Sequence, residues 1–223
     1  MRIGKVDLDE TYYGGKDLYS DGDVEEEMLH LSEEGKDVYQ ILKEKPEWAF
    51  LYHFSPLREQ ILSWFPFTQD MDVLEIGSGC GAVTGALLGK VRSVTSVDLS
   101  MRRSKINANR HREAEGLRIV VGNFQDAEKN LGMYDVITLI GVFEYGRSYI
   151  GGERPYLTFL QTIKRHLRPG GRIFIAIENR FGLKYWAGCT EDHSGRLFEG
   201  LEGYLQEGSA KTFTKKELTE LAE

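Results

Sequence analysis

Short apolar runs alternate, from residue 72 onward, with segments in which apolar residues recur at helical spacing. The apolar runs predict strands at 73–77, 93–99, 117–124, 134–141 and 172–178. The intervening segments predict helices at 82–88, 101–114 and 156–167, with Pro-Gly-Gly at 169–171 as a turn. Strands that alternate with helices form βαβ units, and nearly continuous apolar strands belong to parallel sheets that are covered on both faces. The pattern therefore predicts an α/β fold.

The first 47 residues lack this pattern and are acidic and polar. Residues 24–34 predict a helix with Asp21 or Asp23 as its cap, and the segment before them is rich in turn residues. Because it has few apolar residues, this arm cannot form a core of its own, and we expect it to lie on the main domain or to be mobile. The sequence thus divides into an N-terminal acidic arm, 1–47, and a main domain, 48–223.

An aromatic-rich segment, 48–67, leads into the first strand of the main domain. Ser55 followed by Pro56 is typical of a helix start, and apolar residues continue at helical spacing at Leu57, Ile61, Leu62 and Phe65. We expect this helix to pack at the edge of the sheet. The alternative is that the segment also covers a ligand, with Tyr52, His53 or Arg58 turned inward.

The segment after the last predicted strand, 179–211, has no clean period and combines many glycines with aromatic residues. A loop of this length is usually functional or disordered, and the aromatic content speaks against disorder. We therefore predict a substrate-side insertion. Thr214 then caps a final helix, with Glu217 at the capping-box position.

Composition and charge narrow the possible functions. The net charge of −7 argues against a general nucleic-acid binder, because phosphate binding needs a basic surface. The basic residues that do cluster, at 102, 103, 105 and 110–112, are expected on a solvated helix face. No apolar stretch reaches the ~18 residues of a membrane span. The two cysteines, Cys80 and Cys189, form no disulfide framework, which fits a reducing, cytoplasmic setting.

Three alternating glycines, Gly77, Gly79 and Gly81, stand between the first strand and its helix. Glycine lets the backbone turn sharply and approach a ligand, and the helix start behind the loop offers free N–H groups. Asp98, at the end of the second strand, can accept hydrogen bonds from both ribose hydroxyls. These features predict a nucleoside-bearing cofactor.

The spacing of the glycines distinguishes two cofactor classes. Nicotinamide dinucleotides are bound by G-x-G-x-x-G, whereas this loop has G-x-G-x-G. Glu75, two residues ahead of Gly77, would repel a pyrophosphate and would favour a cofactor with a cationic amino-acid end. An NAD(P)-dependent oxidoreductase is the alternative.

Taken together, the motifs resemble the ordered set of class I S-adenosylmethionine-dependent methyltransferases: E-x-G-x-G-x-G at 75–81, the acid that ends strand two, GNFQD at 122–126, YDVITLIGVFEY at 134–145 and LRPGG at 167–171. The resemblance covers about 70–185. It implies a Rossmann-like fold, a mostly parallel sheet with helices on both faces, and S-adenosylmethionine as the cofactor of the 48–223 domain.

The resemblance also implies a role for each matching residue. Cofactor contacts fall on Glu75 at the methionine end, on Gly77, Ser78, Gly79 and Cys80 in the backbone cradle, on Asp98 at the ribose, on Leu99, Asn123 and Phe124 at the adenine, and on Ile140 and Gly141 near the transferable methyl. The family often has Asp where this sequence has Asn123.

The flanking segments carry a narrower resemblance. YHFSPLREQILSWF at 52–65 and AIENRFGLKYWAGCTEDHSGRLFEGLEGY at 176–204 are similar to methyltransferase modules found with glycosyltransferases in bacterial surface-polysaccharide pathways. This likeness implies a small-molecule or saccharide acceptor, and a non-catalytic module of a larger glycosyltransferase protein is a further alternative.

A hydroxyl acceptor needs a general base, because its own pKa lies far above neutral. His193 is the first candidate, since the pKa of histidine suits base work near neutral pH. Glu144 and Tyr145, directly after the fourth strand, are the others, and Glu178, Glu191 and Asp192 lie nearby in the sequence. Acceptor contacts are expected from Tyr52, His53, Arg58, Asn179 and Tyr185. An Asp/Glu/His cluster could also bind a divalent metal, but the favoured interpretation has none.

The resemblance raises a question about the end of the sheet. Methyltransferases of this class close the sheet with a sixth strand and an antiparallel seventh strand, whereas this sequence ends in the helix before strand six. The last predicted strand would then be an exposed apolar edge, which natural proteins avoid. We therefore expect either a dimer or a further C-terminal region to cover it.

Overall fold

The computed structural model describes residues 1–205, 208 and 210–223, so the predicted insertion at 179–211 is described apart from residues 206, 207 and 209. Seven strands form one sheet: β1 Arg2–Ile3, β2 Val6–Tyr12, β3 Asp72–Ile76, β4 Ser93–Asp98, β5 Leu117–Gly122, β6 Tyr134–Ile140 and β7 Leu167–Ala176. Their order is β1-β2-β5-β4-β3-β6-β7. The pairs β2–β5, β5–β4 and β4–β3 are parallel, and β1 is antiparallel to β2. The predicted α/β class with a mostly parallel sheet is confirmed.

The α-helices are α1 Val24–Glu33, α2 Val38–Glu44, α3 Trp48–Phe54, α4 Thr84–Leu87, α5 Met101–Arg110, α6 Phe124–Ala127, α7 Gly146–Ile150, α8 Pro155–Lys164, α9 Leu183–Trp186, α10 Glu199–Glu202 and α11 Lys215–Ala222. Short 3₁₀ helices cover Pro56–Leu62, Glu128–Asn130 and Phe143–Tyr145. Within the described ranges, every helix is too short or too polar to cross a bilayer.

The chain forms two compact units. Unit 1 contains Met1–Thr138 and Leu167–Arg172, and unit 2 contains Leu139–His166 and Ile173–Glu223. This division does not coincide with the boundary expected at residue 47, because the N-terminal residues belong to unit 1.

The N-terminal arm contributes two strands, which the sequence pattern did not predict. β2 pairs with β5, with Leu8 opposite Ile119. Val6 and Leu8 are fully buried while Asp7 between them is exposed, which is the alternation of a half-buried strand. The acidic residues on the exposed face concealed this period of two in the sequence.

Two arm helices also pack into unit 1. Met28 of α1 and Ile41 of α2 share a buried cluster with Phe50, Phe54 and Ile106. Neither predicted cap serves α1: the Asp23 side chain makes no capping hydrogen bond, and Asp21 instead contacts His53. The arm therefore lies on the main domain, which was one of the two expectations.

The aromatic segment differs in part from its prediction. Ser55 caps the helix that begins at Pro56, as expected, with its side chain accepting from the Leu57 N–H at 3.3 Å. That helix is 3₁₀ rather than α, and α3 precedes it. Leu57 is 75% exposed and Ile61 39% exposed, so the apolar stripe is only half buried, because 3₁₀ geometry rotates it away from the core.

A single residue, Asp72, links the amino ends of four strands in unit 1. Asp72 of β3 accepts from Ser93 of β4 at 2.7 Å and from Arg168 of β7 at 2.7 Å, and it pairs with Arg92. Its backbone N–H donates to Asp135 of β6 at 2.8 Å. These contacts hold the pKa of the Asp72 carboxyl far below its usual range, chiefly through the Arg92 hydrogen bond.

The last strand and the C-terminal helix complete the fold. β7 includes the Pro-Gly-Gly sequence, so the predicted turn at 169–171 was wrong. β7 stands at the end of the strand order, and beyond it the described residues add only isolated bridges, such as Asn179 with Phe213. The predicted capping box of α11 is confirmed: Thr214 accepts from the Glu217 N–H at 3.1 Å, and the Glu217 side chain accepts from the Thr214 N–H at 2.8 Å.

Candidate active site

The glycine loop connects β3 to α4 in unit 1. All three glycines have positive φ, at 74° for Gly77, 53° for Gly79 and 78° for Gly81. A Cβ on Gly81 would lie 2.3 Å from the Asn107 side chain, so Gly81 is required by packing against α5. A Cβ on Gly79 would meet no atom within 4 Å. The loop thus packs on the protein at Gly81 and faces open space at Gly79.

Two acids, the buried Glu75 and the half-buried Asp98, hold this loop. Asp98, at the end of β4, accepts from the Gly79 N–H at 2.7 Å and from the Ser100 N–H at 2.9 Å. Glu75 accepts from the hydroxyls of Thr84 and Ser96, both at 2.7 Å. Burial raises the pKa of both carboxyls, while these hydrogen bonds act in the opposite direction.

Arg110 of α5 lies beneath the loop and was not recognised from the sequence as part of the site. Its guanidinium donates to the carbonyl oxygens of Cys80 at 2.5 Å and His53 at 2.8 Å. Burial lowers the pKa of Arg110 to about 10 and raises that of the Cys80 thiol to about 12. Cys80 is therefore an inert, space-filling thiol. The expectation of a solvated basic face is wrong here, and buried Arg103 is a second exception.

Ser100 and Asp17 form a second feature that the sequence did not reveal fully. Ser100 caps α5, accepting from the Arg103 N–H at 3.2 Å. Asp17 from the arm accepts from the Ser100 hydroxyl at 2.8 Å and from the Met101 N–H at 2.7 Å. The arm thus places the Asp17 carboxylate against Ser100, which lies two residues after Asp98 in the sequence. Only the tertiary structure brings Asp17 to this position.

The remaining predicted cofactor residues of unit 1 surround the carboxyl ends of β4 and β5. Leu99 is half-buried after Asp98, and Phe124 is buried at the start of α6. Asn123 caps α6, its side chain accepting from the Gln125 N–H at 3.0 Å. Ser78 is buried, and its hydroxyl has no partner among the described residues. The open space at Gly79 and the unpartnered Ser78 hydroxyl fit a nucleoside cofactor with a polar amino-acid end.

In unit 2, the carboxyl end of β6 carries the remaining predicted cofactor residues. Ile140 and Gly141 are half-buried. Gly141 has a φ of 68°, and its N–H donates to the Ala176 carbonyl at the end of β7 at 2.8 Å. The ends of β6 and β7 therefore lie together. Glu144 follows Gly141 by three residues, and Glu178 follows Ala176 by two.

A carboxylate–imidazole–carboxylate cluster follows these strand ends in unit 2. His193 Nδ1 lies 2.9 Å from Glu191 Oε1, and His193 Nε2 lies 3.8 Å from Glu144 Oε1. The Tyr145 ring packs edge-on against the imidazole, with 5.3 Å between ring centroids. Glu144 is only 2% exposed, and its Oε2 has no hydrogen-bond partner among the described residues. The structure thus brings His193, Glu144 and Tyr145, the three predicted catalytic residues, together.

The charges in the cluster differ from the sequence expectation. Burial lowers the pKa of His193, but contact with Glu144 and Glu191 outweighs it and raises the pKa to about 9. Burial raises the pKa of Glu144, whereas His193 keeps that of Glu191 below its usual value despite burial. His193 is therefore protonated at neutral pH, and the premise that its ordinary pKa suits it to base work does not hold.

Two of the predicted acceptor residues are held by the protein itself. His53 is buried in unit 1, with Nε2 2.6 Å from Asp21, and Tyr185 is buried in unit 2, donating its hydroxyl to Asp192 at 2.7 Å. The others are more accessible: Arg58 lies 4.2 Å from the ring centroid of Tyr52, and the exposed Asn179 accepts from the Phe181 N–H at 3.0 Å.

Comparison with known proteins places this geometry in a family. The family model described as "Methyltransferase domain" matches residues 49–223. "Ubiquinone biosynthesis O-methyltransferase" of Caulobacter vibrioides is 30% identical over 152 residues, 61% of this chain and 57% of that protein. "Probable cobalt-precorrin-6B C(15)-methyltransferase (decarboxylating)" of Methanothermobacter thermautotrophicus is 28% identical over 114 residues, 48% of this chain and 54% of that protein. The chain thus spans about half the length of the curated relatives it matches.

A solved structure supports the fold. Phosphoethanolamine N-methyltransferase 1 of Haemonchus contortus, in complex with phosphoethanolamine and S-adenosylhomocysteine, superposes with a TM-score of 0.55 at 19% identity. The match covers 86% of this chain and 40% of that chain. The fold is the Rossmann-like class I methyltransferase fold, as predicted. With a family match that covers most of the sequence and this fold, the chain belongs to the methyltransferase-domain family, in the class that uses S-adenosylmethionine.

Proposed function

We propose that the chain transfers a methyl group from S-adenosylmethionine to a hydroxyl of a small molecule or saccharide, with Glu144 as the general base. The observation that carries the proposal is the buried Glu144 carboxylate, whose Oε2 has no hydrogen-bond partner among the described residues and which follows Gly141 at the end of β6. A buried carboxylate with a free oxygen and a raised pKa suits proton removal from a hydroxyl.

The donor end of the proposal rests on unit 1. S-adenosylmethionine, when bound, supplies an electrophilic sulfonium methyl, so the main task of the protein is alignment. The backbone at Gly77, Ser78, Gly79 and Cys80 would cradle the methionine end, Glu75 would orient it, Asp98 would hold the ribose, and Leu99, Asn123 and Phe124 would flank the adenine. The open space at Gly79 and the buried Ser78 hydroxyl support these positions.

The acceptor end rests on unit 2. His193, protonated at neutral pH, is tied to Glu191 at 2.9 Å and faces Glu144. It therefore acts as a positioning residue that keeps the Glu144 carboxylate in place, while Tyr145 packs against its ring. Ile140 and Gly141 would lie near the methyl group, and the exposed Asn179 would contact the acceptor, whereas Tyr185 is buried with its hydroxyl bound to Asp192.

The class of acceptor is proposed from two sources. The relative from Caulobacter vibrioides is named an O-methyltransferase. The segments at 52–65 and 176–204 resemble modules of surface-polysaccharide pathways, which favours a saccharide hydroxyl in polysaccharide synthesis in the cytoplasm. The exposed faces of Tyr52 and Arg58 are the proposed contacts for such an acceptor in unit 1, with His53 behind them.

Ligand-dependent stabilisation tests the donor first, because a ligand that binds only the folded state raises the unfolding temperature. We expect S-adenosylhomocysteine to raise it and NAD⁺ to leave it unchanged. The reverse result would identify the chain as an oxidoreductase and contradict the proposal.

Transfer of radiolabelled methyl groups then tests the reaction. Phenols, nucleotide sugars and oligosaccharides serve as hydroxyl acceptors. Amines and thiols of matched structure serve as controls. We expect label only in hydroxyl acceptors. Label in amines alone rejects the hydroxyl assignment, and binding of S-adenosylhomocysteine without transfer to any acceptor supports the non-catalytic module instead.

A further inference from the structure

We propose that Glu144, Glu178 and His193 of unit 2 bind a divalent cation of the first-row metals, such as Mn²⁺ or Zn²⁺. One ligand atom from each side chain lies within 4.8 Å of the other two. Glu144 follows β6 and Glu178 follows β7, whose ends are joined by the hydrogen bond from Gly141 to Ala176. Ligands in open α/β sheets bind beyond the carboxyl ends of strands, and this site lies at that position.

The separations fit a shared ion better than a hydrogen bond. His193 Nε2 and Glu144 Oε1 are 3.8 Å apart, which is too far for a hydrogen bond. Two atoms that each lie about 2.1 Å from an ion can be at most about 4.2 Å apart, so this pair already has the spacing of two ligands. The three ligand atoms lie within 4.8 Å of one another, so the widest pair would have to close to about 4.2 Å or less around a shared ion.

Unpartnered oxygen atoms supply an independent indication of a ligand. Oε2 of Glu144 and Oε2 of Glu178 are both shielded from solvent and have no hydrogen-bond partner among the described residues. Glu144 itself is 98% buried, since its exposed fraction is 2%. A buried carboxylate oxygen without a partner is unfavourable, and a bound cation would satisfy it.

The environment of His193 is that of a metal-binding imidazole. Its Nδ1 contacts Glu191 at 2.9 Å, and Glu191 is held in turn by the N–H groups of His193 at 2.9 Å and Ser194 at 2.7 Å. Histidine ligands commonly donate their second ring nitrogen to a carboxylate, which fixes the ring and directs the other nitrogen to the metal. Here that other nitrogen is Nε2, which faces Glu144.

The charges favour a cation. Across the described part of the chain, Glu144 and Glu191 form ion pairs with His193 alone, and Glu178 forms none. One histidine cannot neutralise three carboxylates, whereas a doubly charged ion bound by His193 Nε2 and the carboxylates would balance more of their charge.

The second cluster of this kind, Asp21, Glu25 and His53 in unit 1, is different. Arg103 already donates to Glu25 at 2.7 Å and to Asp21 at 2.9 Å, so the carboxylates there have a cation of their own. This cluster is a structural ion-pair network, and it provides a control for the proposed site.

Two carboxylates with one imidazole suit Mn²⁺ or Zn²⁺ better than Ca²⁺, which prefers oxygen ligands only. Such an ion would lower the pKa of a coordinated acceptor hydroxyl. One oxygen of Glu144 would then bind the ion, and the other would accept the proton. These roles rest on the proposed function, whereas cation binding does not.

Titration of the chelator-treated full chain with Mn²⁺ tests the site. Binding is measured by electron paramagnetic resonance as the loss of the signal of free Mn²⁺. We expect one Mn²⁺ per chain, displaced by Zn²⁺. Glu178→Gln and His193→Gln should each weaken binding at least 10-fold, and Glu191→Gln by about 10-fold through the orientation of the imidazole. Asp192→Asn and Asp21→Asn should leave the affinity within 2-fold.

Circular dichroism establishes that each variant is folded. Glu178→Gln is the substitution that should disturb folding least, because Glu178 is only half-buried. Absence of stoichiometric Mn²⁺ and Zn²⁺ binding by the wild-type chain overturns the proposal. Binding that survives Glu178→Gln but is lost in Asp21→Asn overturns it as well. Because binding is measured without donor or acceptor, failure here leaves the methyl-transfer test unaffected.

Discussion

Two residues define the chemistry at the smallest scale, a glycine without a side chain and a carboxylate with one unpartnered oxygen. Among the described residues, no atom would contact a Cβ on Gly79 within 4 Å, and the buried Oε2 of Glu144 has no hydrogen-bond partner. Both were predicted as site residues. Their environments, which determine what they can do, came from the fold.

Gly79→Arg should abolish binding of S-adenosylhomocysteine, weakening it at least about 100-fold. The new side chain would occupy the open space, and its φ of 53° would cost about 1–2 kcal/mol of stability. Gly89→Arg is the matched control, because Gly89 has a φ of 75° and also faces open space. Isothermal titration measures both. Equal affinity in the two variants contradicts a cofactor at Gly79.

Glu144→Gln should lower kcat by about 10²–10⁴-fold with little change in the KM for the acceptor, because it removes the base but keeps the shape. His193→Gln should have a smaller effect on kcat, since His193 positions Glu144. In the wild type, kcat should rise with pH through the raised pKa of Glu144. A larger loss from His193→Gln than from Glu144→Gln would assign the base role to His193 after all.

Pairing and packing between elements explain how the site is held. Asp98 ends β4 and accepts from the loop that follows β3, while Arg110 of α5 donates to the carbonyl of Cys80 from beneath. At the opposite ends of the strands, Asp72 joins β3, β4 and β7. Hydrogen bonds to two neighbouring elements, β4 and α5, therefore hold the loop.

Asp72→Asn should destabilise unit 1 by about 1–3 kcal/mol at pH 7, because it weakens hydrogen bonds to charged partners. The folded-state pKa of Asp72 is depressed, so its contribution is complete above the unfolded-state pKa of about 4 and is lost as the pH falls below it. The difference between wild type and variant should therefore shrink on acidification. Urea unfolding at pH 7 and at pH 3.5 measures this.

Asp126→Asn is the control, since Asp126 is exposed in the first turn of α6. We expect it to change the free energy of unfolding by at most about 0.5 kcal/mol. A difference for Asp72→Asn that stays constant between the two pH values would show that ionisation of Asp72 is not the cause.

The whole molecule uses its N-terminus as part of the sheet. β2 covers the edge of β5, and Leu8 is fully buried opposite Ile119. Asp17, on the loop that follows, reaches the start of α5 beside Asp98. An arm that was expected to lie on a finished domain therefore completes the sheet and one side of the predicted cofactor site.

Leu8→Ala should lower the free energy of unfolding by about 2–5 kcal/mol, close to the loss expected for Ile119→Ala in the neighbouring strand. Asp7→Ala, at the exposed position between two buried residues, should cost less than about 1 kcal/mol. Chemical denaturation measures all three. If Leu8→Ala behaves like Asp7→Ala, then the first strands do not contribute to the stability of unit 1.

Much of the fold was predictable because its signals are local. The period of apolar residues located β3 to β6 to within two residues, and the Gly-x-Gly-x-Gly spacing located the tight loop that follows β3. The capping box of α11 was also exact, because a cap depends on residues three positions apart. Where local preference and the final fold agree, one sequence suffices.

The remaining features of the fold and the site were decided by the tertiary structure alone, because these features depend on contacts between residues far apart in the chain. A two-residue alternation in an acidic arm becomes a strand only when β5 is beside it, and a basic helix face becomes buried only when Arg110 meets the carbonyl of Cys80. The pKa of His193 was raised in part by Glu144, 49 residues away in the sequence. The sequence by itself thus determined the fold class and the glycine loop that is proposed to bind the donor, whereas the charges around His193 and Glu144 followed from burial and from neighbours that only the tertiary structure brings together.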